Sequence, residues 1–105
     1  MKSGKLNKVQ QTDIELGRIM AVVCTALNVT EMDFLSTRRA DPLPHARAIA
    51  TILAKDYTVA SYKHIGRKFN KDHTTIMAHV KRIEKSPDPA FQIRLNAVRQ
   101  WMEIA

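Results

Sequence analysis

Residues 69–85 read FNKDHTTIMAHVKRIEK, and this stretch decides the fold. Asp72 is a residue type that caps helix N-termini, and nothing after it breaks a helix before Ser86 and Pro87. Ile76, Val80 and Ile83 recur at the spacing of one buried helical face. At about 100° per residue, Thr74, Ala78, Lys81 and Lys85 point the other way, with Thr75 and Arg82 beside them. Just upstream, Ser61 is placed to cap a shorter helix holding Ile65 and Phe69. Asn70-Lys71 makes a tight break between the two, because Asn tolerates the left-handed conformation that ends helices. Two short helices joined by a tight break, the second of them basic, describe a helix-turn-helix. The outer face of the second helix carries small hydrogen-bonding residues first and cations later. A recognition helix needs that order, since its N-terminal residues approach base edges in the major groove.

The rest of the chain reads as helices around this pair. Thr12-Asp13-Ile14-Glu15 has capping-box spacing, which predicts a first helix from Thr12, with Ile14, Ile19, Val22, Val23 and Leu27 as its apolar positions. Residues 1–10 are polar and basic and are expected to be a flexible N-terminus, leaving 11–105 as one domain. Thr30 can cap a short second helix over Glu31–Leu35. STRRADPLP, residues 36–44, interrupts helical propensity, so Arg38 and Arg39 fall on a loop. Pro44 suits the first turn of a third helix running to about Tyr57, with Ala46, Ile49, Ala50, Leu53 and Tyr57 on one face. SPDP, residues 86–89, is linker-like, and Asp88-Pro89 opens a last helix with the stripe Phe91, Leu95, Val98 and Met102. The reading is all-α: about six helices and no strands.

Composition agrees. At 105 residues and 45% hydrophobic, the chain is one domain's worth and long enough to bury a core. The single Cys24 excludes an internal disulfide framework and suits a reducing compartment. No apolar run reaches membrane-spanning length, and MKSGKLNK lacks the apolar core of a signal peptide, so a cytoplasmic, nucleoid-associated location is expected. The net charge of +7 is informative once located. Ser36 to Lys85 holds eleven Lys/Arg against four Asp/Glu and all four histidines, while the flanks balance at six of each sign. A basic segment between neutral flanks points to a polyanion-facing surface, with nucleic acid the leading candidate and an anionic membrane the weaker one.

The residues of the pair admit plainer roles as well. Thr74 and Thr75 either satisfy first-turn backbone groups or offer methyls and hydroxyls to base edges. Asp72 is an N-cap, an acceptor for a cytosine amino group, or both. His73 is a surface histidine or a base contact. Lys81, Arg82 and Lys85 form a solvated face or meet phosphates, and the charge segregation favours phosphates.

FLSTRR (34–39), HARAIATILAK (45–55), YKHIGRKFN (62–70) and KDHTTIMAHVKRIEK (71–85) together resemble the C-terminal DNA-binding domain of the bacterial replication initiator DnaA. The DHTT tetrad followed by an apolar residue and a terminal Arg-Ile-Glu is the most specific part. The resemblance implies a Trp-repressor-like helix-turn-helix that binds short, asymmetric duplex boxes of the kind found at replication origins, one monomer per box. It implies that Arg39, with Arg38 beside it, enters the minor groove and that Arg47 contacts phosphate. It further implies that Asp72, His73, Thr74 and Thr75 read the major groove, that Lys71 is the basic residue preceding them, and that Tyr62 and Lys63 meet backbone phosphate. This sequence departs from the family pattern in a turn one residue shorter between Phe69 and Asp72. It departs also in Asp41-Pro42, where further cations are usual, and in Ala78, where His is frequent.

Other chemistries have little support. The initiator is an ATPase, but this sequence has no GxxxxGK[ST] phosphate loop. One Cys and no CxxC spacing argue against a metal site, as does the six-residue separation of His73 and His79, which puts them on different sides of their helix, and no cofactor is implied. Neighbouring Asp72-His73-Thr74 cannot align as nucleophile, base and orienter, so no enzyme is expected. Cys24 reads as a buried structural thiol, and Trp101 as core. The expected function is sequence-specific duplex DNA and origin binding that regulates replication initiation or transcription, with replication initiation proteins as candidate partners. The rival is a protein-interaction module that kept the fold and binds a replication partner through its first or last helix.

Overall fold

A computed structural model describes residues 5–86 and 88–104. Six helices follow one another: α1 (Lys8–Leu27), α2 (Glu31–Leu35), α3 (Leu43–Tyr57), α4 (Tyr62–Lys68), α5 (His73–Lys85) and α6 (Pro89–Ile104). No strand occurs among the described residues. The all-α reading holds.

Helix α3 is the centre and touches each of the other five. Its sequence explains why. Ala46, Ala48, Ile49, Ala50, Leu53 and Ala54 are all buried, so the helix is apolar around most of its circumference, and its alanines let neighbours approach closely. Thr51 is buried too, and its hydroxyl donates to the Arg47 carbonyl at 2.9 Å, so no polar group is stranded. Helices α1 and α6 pack on one another and on α3, whereas α4 and α5 pair with each other and lean on α3. Phe91 and Val98 are buried on α6, with Leu95 and Met102 packed partly against the core.

The caps follow the sequence reading except at α1. Thr30, Ser61 and Asp72 accept from backbone N–H groups at the starts of α2, α4 and α5, and Asp88 accepts from Phe91 N–H at 2.7 Å. Helix α1, however, starts at Lys8, where Asn7 and Gln10 form a reciprocal capping box. The same rule that suggested Thr12 and Glu15 is satisfied earlier by Asn7-x-x-Gln10, and Thr12 is buried inside the helix. The helix therefore takes in residues 8–10 of the stretch read as flexible, and residues 1–4 lie outside the described residues. Ile14, assigned to the buried stripe, is exposed, and Leu16 and Met20 take its place in the core. Cys24 is buried as expected, and burial pushes its thiol up to about 11, which leaves it inert near neutrality.

Trp101 corrects a further expectation. It is 46% exposed, because it sits about 100° around α6 from the Phe91–Leu95–Val98–Met102 face.

Gly17 lies in the middle of α1, where a Cβ would meet only the Lys68 side chain, at an ordinary 3.7 Å. Gly17→Ala is therefore expected to stabilise the fold by about 0.5–1 kcal/mol, seen as a higher urea midpoint with unchanged slope.

Candidate nucleic-acid interface

The turn between α4 and α5 is built by backbone geometry. Asn70 takes a left-handed φ of 58°. Lys71 N–H donates to the Gly66 carbonyl at 2.8 Å and Asn70 N–H to the Arg67 carbonyl at 3.4 Å, the pair of bonds that closes a helix in a Schellman motif. This turn drives the start of α5 against α4. A Cβ on Gly66 would lie 2.7 Å from the Lys71 carbonyl oxygen and 3.1 Å from both Cβ and N of His73. Only glycine permits that approach.

Helix α5 then presents two faces. Ile76 and Val80 are buried, with Ile83 packed on the core, while Thr74, Thr75, Ala78, Lys81, Arg82 and Lys85 are exposed. Asp72 Oδ1 accepts from Thr74 N–H at 2.9 Å and Thr75 N–H at 3.1 Å. The Thr75 and Thr74 backbone bonds hold the Asp72 carboxyl below the usual carboxylate range. The depressed value means that the cap adds stability at neutral pH, which is lost as pH falls below about 4. Asp72→Ala is expected to fray the start of α5 and lower stability at neutral pH, whereas Asp72→Asn keeps most of the cap and removes this share of the acid sensitivity. Urea melts between about pH 3 and 7 would show both effects.

The loop 36–42 is shaped from beneath by Arg47. Its guanidinium donates to four carbonyls: Phe34 at 2.9 Å, Arg38 at 2.6 Å, and Asp33 and Ser36 at 2.9 Å each. Four of its five N–H groups are thereby used. The loop is also stitched to the turn. Lys71 Nζ donates to the Ser36 carbonyl at 2.7 Å, Asn70 Nδ2 donates to the Leu35 carbonyl at 3.1 Å, and Phe34 meets Phe69 edge-on with ring centroids 5.2 Å apart. A groove of about 480 Å³ results, with Arg39, Arg47 and Lys71 on the loop side and Asp72, Thr75 and Arg82 on the α5 side.

Comparison with known proteins bears directly on this pair of elements. The family model described as the bacterial DnaA protein helix-turn-helix matches residues 16–83, from the middle of α1 to near the end of α5. The chain belongs to the bacterial DnaA helix-turn-helix family. A chromosomal replication initiator protein DnaA of Rhodopseudomonas palustris is 34% identical over 93 residues, covering 86% of this chain and 20% of that protein. The DnaA proteins of Nitrobacter hamburgensis and a Bradyrhizobium species are each 40% identical over 72 residues, covering 68% of this chain and 15% of theirs. The chain thus spans at most about a fifth of the length of these DnaA relatives.

The candidate contact residues fall into four groups. Arg39, Arg47, Lys71, Asp72 and Thr75 converge on the groove, with Thr74 exposed at the same helix start and His73 partly buried under it. Arg38 points outward from the loop and pairs with Asp33 at 3.2 Å. Tyr62 and Lys63 lie at the start of α4, where Lys55 Nζ stands 4.7 Å from the Tyr62 ring centroid and Lys63 is exposed. Lys81 and Lys85 are exposed further along α5, outside the groove.

Arg47 and Lys71 also serve the fold itself. Both are committed largely to backbone carbonyls, and burial lowers the affinity of each for its proton, Lys71 being lowered further by Arg47. Four cations, Arg39, Arg47, Lys71 and Arg82, line one groove, so an anion there relieves their repulsion.

His79 is the residue that sequence reasoning passed over. Arg82 Nη2 donates to His79 Nδ1 at 3.1 Å, and His79 Nε2 donates to the Pro44 carbonyl at 3.3 Å. Burial holds the imidazole below its ordinary pKa, so it stays neutral and orients Arg82 at the groove edge. The i, i+3 spacing of His79 and Arg82 on the basic face was the available signal. Among the described residues, no group of three or more His, Cys, Asp or Glu is placed to hold a metal, and no helix is long and apolar enough to cross a membrane.

Proposed function

We propose that this chain binds duplex DNA sequence-specifically, placing the start of α5 in the major groove and the Arg38-Arg39 loop at the adjacent minor groove. One copy occupies one asymmetric box. The observation that carries this reading is the stitching of Lys71, Asn70 and Phe69 to Ser36, Leu35 and Phe34. It fixes a polar helix start and a basic loop as a single reading surface, and a solvated charge run would need no such coupling. Thr74 and Thr75 supply base contacts, Arg39 the minor-groove contact, and Arg38, Lys63, Lys81, Arg82 and Lys85 the phosphate contacts. Following the initiator proteins it is similar to, the chain occupies initiator-type boxes in replication initiation or in transcriptional control.

Fluorescence anisotropy with an initiator-type box and a scrambled duplex tests the proposal. The box is expected to bind on the order of 10³-fold more tightly at physiological salt. Five exposed cations on phosphate predict a log–log salt slope of roughly −4 to −5. Equal, weak binding of both duplexes, and of duplexes selected from a random pool, would overturn it.

The second reading, a protein-interaction module, draws on exposed apolar side chains away from the groove: Leu6, Val9 and Ile14 on and before α1, and Ile93 and Trp101 on α6. On that reading, substituting Thr74 and Thr75 leaves function intact.

A further inference from the structure

The basic loop is held at both ends, by Arg47 of α3 and by Arg94 of α6. Arg47 fixes the chain as far as the Arg38 carbonyl. Beyond Arg39 a turn closes with Leu43 N–H donating to the Ala40 carbonyl at 2.8 Å. Within it the Asp41 carboxylate accepts from both terminal nitrogens of Arg94, at 2.8 and 2.9 Å. Arg94 stands on α6, beyond the segment matched to the family. Its Nη1 also lies 2.8 Å from His45 Nδ1, which accepts, while His45 Nε2 faces Asp88 at 3.6 Å and the ring meets Phe91 edge-on. Asp88, which caps α6, and Phe91 and Arg94 within it therefore converge on His45 and, through Arg94, on the loop.

This clamp adds little to stability, because the Asp41 side chain is 73% exposed and water screens the pair. What a bidentate guanidinium–carboxylate pair does supply is direction. Arg39 is left on a short span between two guanidinium anchors, exposed and with no ion-pair partner among the described residues. The clamp also neutralises the one acidic side chain of the loop, which would otherwise repel phosphate.

We propose that Arg94 is a positioning residue for DNA reading: by clamping Asp41 it fixes the loop that carries Arg39 and so sets minor-groove discrimination from outside the helix-turn-helix. The inference rests on the DNA-reading function proposed above. It accounts for Asp41-Pro42 standing where further cations would be usual: the carboxylate is the handle by which α6 holds the loop.

The test uses the full chain and its selected box, with base pairs changed one at a time. Replacing A·T by I·C keeps an A·T-like minor groove, whereas G·C adds an amino group to it. Wild type is expected to prefer I·C over G·C by about tenfold at the loop-facing positions. Arg94→Gln and Asp41→Asn are each expected to bring that preference to within about twofold, while discrimination at positions facing Thr74 and Thr75 stays unchanged. The exchanged pair Asp41→Arg with Arg94→Asp is expected to restore the preference that each single exchange loses. Retained minor-groove preference in both Arg94→Gln and Asp41→Asn would overturn the inference. A parallel loss at major-groove positions would overturn it too, by making Arg94 a general support of the fold. Wild type discriminating at major-groove but not loop-facing positions would refute the inference alone; discriminating nowhere would refute the DNA-reading function with it.

Discussion

Replacing Arg47 with alanine is expected to lower stability by about 3 kcal/mol in the absence of DNA, enough to drop the melting temperature by roughly 15 °C. Its guanidinium satisfies four carbonyls of residues 33–38 at 2.6–2.9 Å, and charged hydrogen bonds of this kind are the strong ones. Water recovers part of the loss once the loop loosens, which keeps the figure below the sum of four bonds. Arg47→Lys should recover less than half, since one ammonium cannot fork toward Asp33, Phe34 and Arg38 together. A denaturant melt of the free protein checks this. A residue that only met phosphate would leave that melt unchanged and alter DNA affinity alone. The resemblance implies phosphate contact, and with at most one N–H to spare Arg47 does most of its work inside the protein.

Gly66→Ala is the second large effect. The added methyl would sit 2.7 Å from a backbone oxygen, and backbone cannot swing aside as a lysine tip can. The α4–α5 turn must open, at a cost of about 2 kcal/mol, and the start of α5 moves with it. Box binding is expected to fall at least about tenfold more than scrambled-duplex binding, because misplaced threonines lose base contacts while dispersed cations still find phosphates. Gly17→Ala is its control: the same substitution in a helix of the same domain, with an ordinary contact at 3.7 Å and the opposite sign of effect.

The helices and most of their caps were legible because they rest on local rules. Thr30, Ser61, Asp72 and the left-handed Asn70 each act on backbone within a few residues. The start of α1 was misread for an equally local reason: two capping boxes compete, and Asn7-Gln10 captures the additional helical turn that Thr12-Glu15 would forgo. Periodicity placed Ile76 and Val80 in the core but also Ile14, since a stripe shows spacing and cannot show which side neighbours will cover. The exposed face of α5 could likewise be read from sequence, as could the presence of a basic loop. The long-range bonds could not. Arg47 to Phe34, Lys71 to Ser36 and Arg94 to Asp41 join residues 13, 35 and 53 apart, and no sequence pattern announces them. They convert a set of cations into a surface, and they separate the arginines that hold the loop from the one the loop presents.

The most direct test of that surface is an amide chemical-shift titration of the labelled protein with the box duplex. Perturbations are expected to concentrate on residues 36–42, at the start of α4 near Tyr62 and Lys63, and from Asn70 through Arg82, with α1 and the exposed side of α6 silent. Perturbations centred instead on the first turns of α1 or around Trp101, or an identical pattern with a scrambled duplex, would contradict the account.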